Sequence, residues 1–228
     1  MTSASQSARA RVRAQLTAEI KAAASRALAR DGAVGLSLRA VARDLGMVPS
    51  ALYRYFANRD ELLTELIIDA YHSLADHMEA AAGGGWAAVA TAIRRWAFAR
   101  PHEWALLYGS PVPGYHAPER TVSAALRVPL VLVKLVETAH DDGLLAPGTD
   151  VAPSPAAVAS VAPITEGLPT TLPPALVLAT LAAWEQLAGA TSLELFGHFE
   201  GGMTDPEAVY DHVARAAGHR IGLLPLQR

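Results

Sequence analysis

Pro49, Ser50, Ala51, Tyr53, Arg54 and Tyr55 fall within one stretch of seven residues. On a helix, two small residues beside a phenol and a guanidinium make a slim polar face, and those groups can hydrogen-bond base edges and phosphate oxygens. Ser37, Arg39 and Arg59 flank the stretch and offer further donors to phosphate. Other chemistries find less support. His72 and His77 stand five apart, whereas a metal pair on one helix face needs i, i+4 spacing. With no cysteine, thiolate metal sites, disulfides and cysteine nucleophiles are excluded. The chain has no Gly-x-Ser-x-Gly elbow, Gly-x-Gly-x-x-Gly turn, Walker loop or His-Glu-x-x-His pair, so it is not read as an enzyme and no cofactor or metal is expected.

The elements around the polar stretch are short. Leu16, Ile20, Ala23, Ala24, Ala27 and Leu28 recur at helical spacing until Asp31-Gly32, where glycine suits a left-handed cap. Ser37 can cap a second helix, over 38–45, by accepting the free amides of its first turn, and Gly46 closes that helix. Pro49 suits the first position of a third helix, where its missing amide costs nothing. Two short helices joined by Leu45-Gly46-Met47-Val48 predict a helix-turn-helix, with Ala42, Leu45, Met47 and Leu52 between them. An ordinary helical hairpin is the competing reading. Asn58 and Glu61 form an Asn variant of the capping box for a long fourth helix with its stripe at Leu62, Leu63, Leu66, Ile67, Ala70 and Leu74.

Beyond the Gly83-Gly84-Gly85 break, Trp86, Val89, Ile93 and Trp96 mark a fifth helix, and a sixth is expected over 101–108. Residues 109–118 are too rich in Pro and Gly to be helical. A seventh helix is expected over 118–142 with a kink at Pro129. Seven prolines over 143–174 predict a linker with one helix after Ser154. The next helix, over 174–199, is apolar nearly all round, which means burial against two surfaces. A last amphipathic helix spans 205–220. The whole reads as all-α, in keeping with a chain that is 51% hydrophobic but only 6% aromatic.

Charge is distributed unevenly. Residues 1–60 hold ten Lys or Arg against four Asp or Glu, a balance of +6 that leaves −9 for the remainder of a chain of net charge −3. A basic N-terminal module on an acidic body suggests that only the former approaches a polyanion, with a solvated charged face as the alternative. Arg9, Arg11 and Arg13 precede the helical pattern and read as a solvated tail, with phosphate contact as the alternative. The apolar run near 174–183 is interrupted by Trp184-Glu185-Gln186, short of a spanning length, so a soluble, cytoplasmic protein with no membrane partner is expected.

Residues 37–56, from Ser37-Leu38-Arg39 through Leu52-Tyr53-Arg54-Tyr55-Phe56, followed by Asn58-Arg59-Asp60-Glu61-Leu62-Leu63, resemble the DNA reader of the TetR family. The resemblance covers residues 14–74 and implies a three-helix helix-turn-helix domain reading double-stranded operator DNA. Val48 stands where many members place a phosphate-reaching Ser or Thr, and Arg59 where lysine is usual, near the DNA backbone. Residues 75–228 then imply a helical-bundle domain for ligand binding and dimerisation. Phe98-Ala99-Arg100-Pro101-His102, 107–115 and Trp184-Glu185-Gln186-Leu187-Ala188-Gly189 are similar to a sensor subgroup with a Trp-His-Gly signature, although Ala188 replaces its histidine. By family default the protein is a homodimeric repressor released from a palindromic operator by a small molecule. The alternatives keep the reader but give it a protein partner or no effector, or make the chain a helical enzyme.

Effector cavities are mainly apolar with few polar groups, which selects Trp96, Trp104, Tyr108, Tyr115 and Trp184 with His102, Glu103, His116 or Glu185; plain core packing is the alternative. Leu187, Leu195, Val209 and Val213 on the last two helices are the dimer-interface candidates. The fourth helix is the one element expected to belong to both halves, and so the expected lever of release.

Overall fold

The computed structural model describes residues 2–146 and 153–223, which form eleven α-helices and no strand. An isolated antiparallel bridge pairs Leu145 with Leu223. The residues fall into two compact units. One gathers the chain up to Ala70 together with His102–Thr121, and the other gathers Tyr71–Pro101 with the chain from Val122 onward.

The first unit begins with α1 (Thr2–Gly35), broken at Gly32 where φ is 69°. The expected stop is therefore a break, after which the chain turns on to Gly35. The expected tail is different: α1 already runs as helix through Arg9, Arg11 and Arg13, because Ala and Arg are strong helix formers. The buried face of α1 is Ile20, Ala23, Ala24, Ala27 and Leu28. Next come α2 (Leu38–Asp44), α3 (Pro49–Leu52) and α4 (Arg59–Ala81). Leu38, Val41, Ala42, Leu52, Phe56, Leu62 and Leu63 complete the core, so α2 and α3 are held by apolar contacts on their inner sides, with an ion pair from Arg30 on α1 to Asp44 at the end of α2 (3.1 Å). Asn58 Oδ1 accepts from the Glu61 amide (2.8 Å) while the Glu61 carboxylate accepts from the Ala57 amide (2.6 Å), which satisfies two free donors at the start of α4.

Helix α6 (Pro101–Tyr108) matches its expected bounds and, from His102 on and with the loop after it, belongs to this first unit. Trp104 of α6 is fully buried. His102 Nε2 lies 3.3 Å from Ser25 Oγ on α1, and Tyr115 Oη lies 2.9 Å from Thr64 Oγ1 on α4. Lys21 on α1 pairs with Asp69 on α4 at 2.6 Å, and Arg120 pairs with Glu65.

The second unit contains α5 (Gly85–Ala99), α7 (Arg120–Asp141), α8 (Pro155–Ser160), α9 (Ala162–Gly167), α10 (Pro174–Leu195) and α11 (Pro206–Ile221), apart from the first residues of α7. Helix α7 continues as one element across Pro129. Where one helix was expected after Ser154 there are two, and part of the expected linker, residues 147–152, lies outside the described residues. The core is built from Trp86, Val89, Ile93 and Trp96 of α5, Val128, Leu132 and Val136 of α7, Val177 and Leu187 of α10, and Tyr210, Ala214 and Ala217 of α11. Trp86 donates its indole N–H to Ala214 O at 2.7 Å. It can do so because Gly218 is bare: a Cβ there would stand 2.7 Å from Trp86 Cδ1. Arg94 grips Glu194 with two hydrogen bonds, 2.9 and 2.6 Å, and its guanidinium lies over the Phe98 ring.

Candidate nucleic-acid interface

The turn between α2 and α3 decides where the polar stretch points. Gly46 takes φ +65°, and a Cβ there would meet no atom within 4 Å, so glycine is required by conformation and not by crowding. The Gly46 amide donates to Arg43 O (3.0 Å) and the Met47 amide to Ala42 O (2.9 Å). These are the paired bonds of a Schellman cap, which satisfies the last carbonyls of α2 and reverses the chain sharply. At the other end of α2, Ser37 Oγ accepts from the Ala40 amide at 3.2 Å. This serine caps its helix, as its position before Leu38 leads one to expect.

Helix α3 starts at Pro49 and has no side-chain cap, since Val48 supplies no acceptor. Its anchor is Leu52, fully buried, followed by Phe56 at 3% exposure. With those two turned inward, Pro49, Ser50, Tyr53 and Arg54 are left exposed, Tyr53 at 49%. Ala51 and Tyr55 are half-buried, and Arg39 on α2 is exposed. Of the four residues expected between the helices, Ala42 and Leu52 are fully buried, whereas Leu45 and Met47 are half-buried. The Arg13 guanidinium sits over the Tyr55 ring, 5.6 Å from its centroid, which joins α1 to the end of the reading segment.

Arg59, expected near phosphate, also makes bonds within the chain. Its guanidinium donates to Ala33 O at 2.6 Å, with Val34 O at 3.4 Å, and its Nε is buried without a partner. A cation against the last carbonyls of a helix is favoured by the helix dipole, so Arg59 fastens the end of α1 to the start of α4. The site presents exposed phenol, hydroxyl and guanidinium groups beside a sharp turn, with no cluster of three or more His, Cys, Asp or Glu among the described residues that could hold a metal ion.

Comparison with known proteins is decisive. A family described as "Bacterial regulatory proteins, tetR family" matches residues 20–66, and one described as "Tetracyclin repressor-like, C-terminal domain" matches residues 86–217. An HTH-type transcriptional regulator of Mycobacterium tuberculosis is 42% identical over 213 residues, covering 89% of this chain and 91% of that protein. Its Mycobacterium bovis counterpart matches to the same extent. The chain belongs to the TetR family. Among solved structures, the regulatory protein SCO4313 is similar with a TM-score of 0.78 and 36% identity, covering 91% of this chain and 97% of that one. A Rhodococcus protein of unknown function follows with a TM-score of 0.65 and 26% identity, covering 90% and 93%. This TetR-family chain is therefore a DNA-binding transcriptional regulator whose N-terminal helix-turn-helix is followed by a helical C-terminal domain.

The residues proposed for an effector cavity divide between the two units. His102, Trp104, Tyr108, Tyr115 and His116 are in the unit that holds the reader, and Trp96, Trp184 and Glu185 are in the other. In the first, the rings of Trp104 and Tyr108 lie 4.6 Å apart between centroids, tilted at 52°. In the second, Trp96 is 1% exposed and donates its indole N–H to Ser73 Oγ at 3.0 Å. Glu185 is exposed and lines a groove between α10 and α11. Of the dimer candidates, Val209 is 41% exposed, and Leu195 and Val213 are half-buried. Leu187 is fully buried within a single chain and has no surface to offer a second one. Local periodicity marked it as apolar but could not say which of two apolar faces it occupied. Leu193 and Phe196, 44% and 43% exposed, are further apolar residues at the surface of that region, which periodicity alone does not single out.

Proposed function

We propose that this regulator represses transcription as a two-fold dimer on a palindromic operator and is released when its C-terminal unit takes up a small molecule. The observation that carries the dimer is the uncovered surface of α10. By length and composition α10 is apolar enough to cross a membrane, in spite of Glu185 and Glu194, yet only 28% of its most apolar window is buried within the chain. Beside it, α10 and α11 border a groove of about 670 Å³ lined by Leu193, Phe199, Met203, Val209 and Val213. A large apolar patch rimmed by charges marks an interaction site, and a second copy offers a self-complementary face. The groove supports Val209 and Val213 as interface residues. A regulator that reads chromosomal DNA works in the cytoplasm.

Release requires a link between the units, and α4 supplies a covalent one, since the division of the chain falls inside it, between Ala70 and Tyr71. An effector that favours one arrangement of the Tyr71–Ala81 half biases the half that carries Leu62 and Leu63 under the reader. The ligand must bind the released form more tightly, because equal affinity shifts nothing. A coupling of about 1 to 3 kcal/mol weakens DNA binding roughly 5- to 150-fold, and DNA weakens the ligand by the same factor. Calorimetric titration of candidate metabolites into free protein and into the DNA complex tests this. Unequal dissociation constants support effector release; a compound that binds both forms equally is not the releasing effector.

A further inference from the structure

Residues 8–15 of α1 do not contribute to the core that the later turns of the helix build. Arg9 through Gln15 are all exposed, including Val12 at 64%, and the first fully buried residue of the helix is Ile20. An isolated helical segment of this length is marginal in water. It is also strongly basic: Arg9, Arg11 and Arg13 are present, and the first acid in the sequence is Glu19. None of the three arginines has an ion pair among the described residues, in contrast to Lys21 further along α1, which Asp69 neutralises. The projection is continuous with the reading surface, because Arg13 lies over the ring of Tyr55.

We infer that this helical projection is a second DNA-contacting element, in which Arg9 and Arg13 bind phosphates next to those gripped around α3. Helical geometry makes the assignment specific. At 100° per residue Arg9 and Arg13 lie about 40° apart on one face, with Arg9 about 6 Å further from the core along the axis. Arg11 lies about 200° from Arg13, on the opposite face. Only the face that carries Arg13 adjoins Tyr55, so Arg9 reaches the DNA and Arg11 faces solvent. The inference rests on α3 being the reading element, and it extends the footprint beyond the helix-turn-helix along the phosphate backbone, without adding base contacts.

The test uses the full chain and a duplex that it selects from a random library, with affinity measured by fluorescence anisotropy from 50 to 300 mM salt. Each phosphate contact contributes about 0.9 to the slope of log K against log salt. Arg9→Gln should reduce the slope by about 0.9 per bound chain, Arg9→Lys should keep it, and Arg11→Gln should leave it unchanged. Equal flattening by Arg9→Gln and Arg11→Gln would overturn the inference in favour of a general charge effect, and an unchanged slope in Arg9→Gln would overturn it outright. Tyr53→Ala separates this from the reading of α3: it should lower affinity with the salt slope preserved, and if it does not, the assignment of α3 fails whatever Arg9 does.

Discussion

The contact between Thr64 and Tyr115 allows a prediction whose size can be worked out. Thr64 is 2% exposed and its hydroxyl donates to Asp60 O at 2.7 Å, so its single proton is committed. Tyr115 must therefore be the donor across the 2.9 Å gap to Thr64 Oγ1. Tyr115→Phe removes this donor and leaves the ring in place, a loss of about 1 kcal/mol for one hydrogen bond. Thr64→Val is nearly isosteric but also gives up the bond to Asp60, and costs about the same or somewhat more. Because the two residues share one bond, the double variant should cost about 1 kcal/mol less than the sum of the singles. Urea unfolding followed by circular dichroism reads this as midpoint shifts of about 0.5 M per kcal/mol, at a slope of about 2 kcal/mol per molar. DNA affinity should not change, since neither side chain is on the reading face. Full additivity in the cycle would refute the reasoning that the loop after α6 is tethered to α4 through this pair.

Three further outcomes are expected. Gly218→Ala should lower stability by about 1 to 3 kcal/mol in thermal unfolding: the new Cβ would stand 2.8 Å from the Trp86 indole nitrogen, which is pinned to Ala214, and this overpacking outweighs a helix-propensity gain of about 1 kcal/mol. Glu137 is held below the usual carboxylate range by the Thr171 amide first and by the Thr170 hydroxyl next. Its contribution is thus present above the ordinary value of 4.5 and is lost as pH falls through the depressed one, so Glu137→Gln should show a shallower acid destabilisation than the wild type in melts from pH 7 to 3. Tyr53→Ala should weaken operator binding at fixed salt by about 1 to 3 kcal/mol, or roughly 5- to 150-fold, in a mobility-shift titration.

What the sequence disclosed was local chemistry. The bounds of α6, the Ser37 cap, the Gly46 reversal and the Asn58 and Glu61 box each depend on a few neighbouring residues, and each has its predicted form. The exposure of Ser50, Tyr53 and Arg54 followed as well, because burying Leu52 and Phe56 leaves them no other side. What it concealed was long-range. Ser25 and His102 meet across 77 positions, Arg94 and Glu194 across 100, and Trp86 and Ala214 across 128, and no periodicity announces such pairs. The partners of Arg59 were concealed for the same reason: they are carbonyls 25 and 26 residues upstream, which no local pattern announces. The helical start of α1 was legible in principle, in a run of Ala and Arg without an acid, but it carries no apolar stripe to mark it.

The central claim is that two copies of this chain read DNA together through α3. Selecting duplexes from a random library with the purified protein tests it most directly. The account predicts an inverted repeat, with half-site centres about 10 to 10.5 base pairs or a multiple of this apart, bound by an even number of chains. Recovery of a single unrepeated site, bound by one chain, would contradict it.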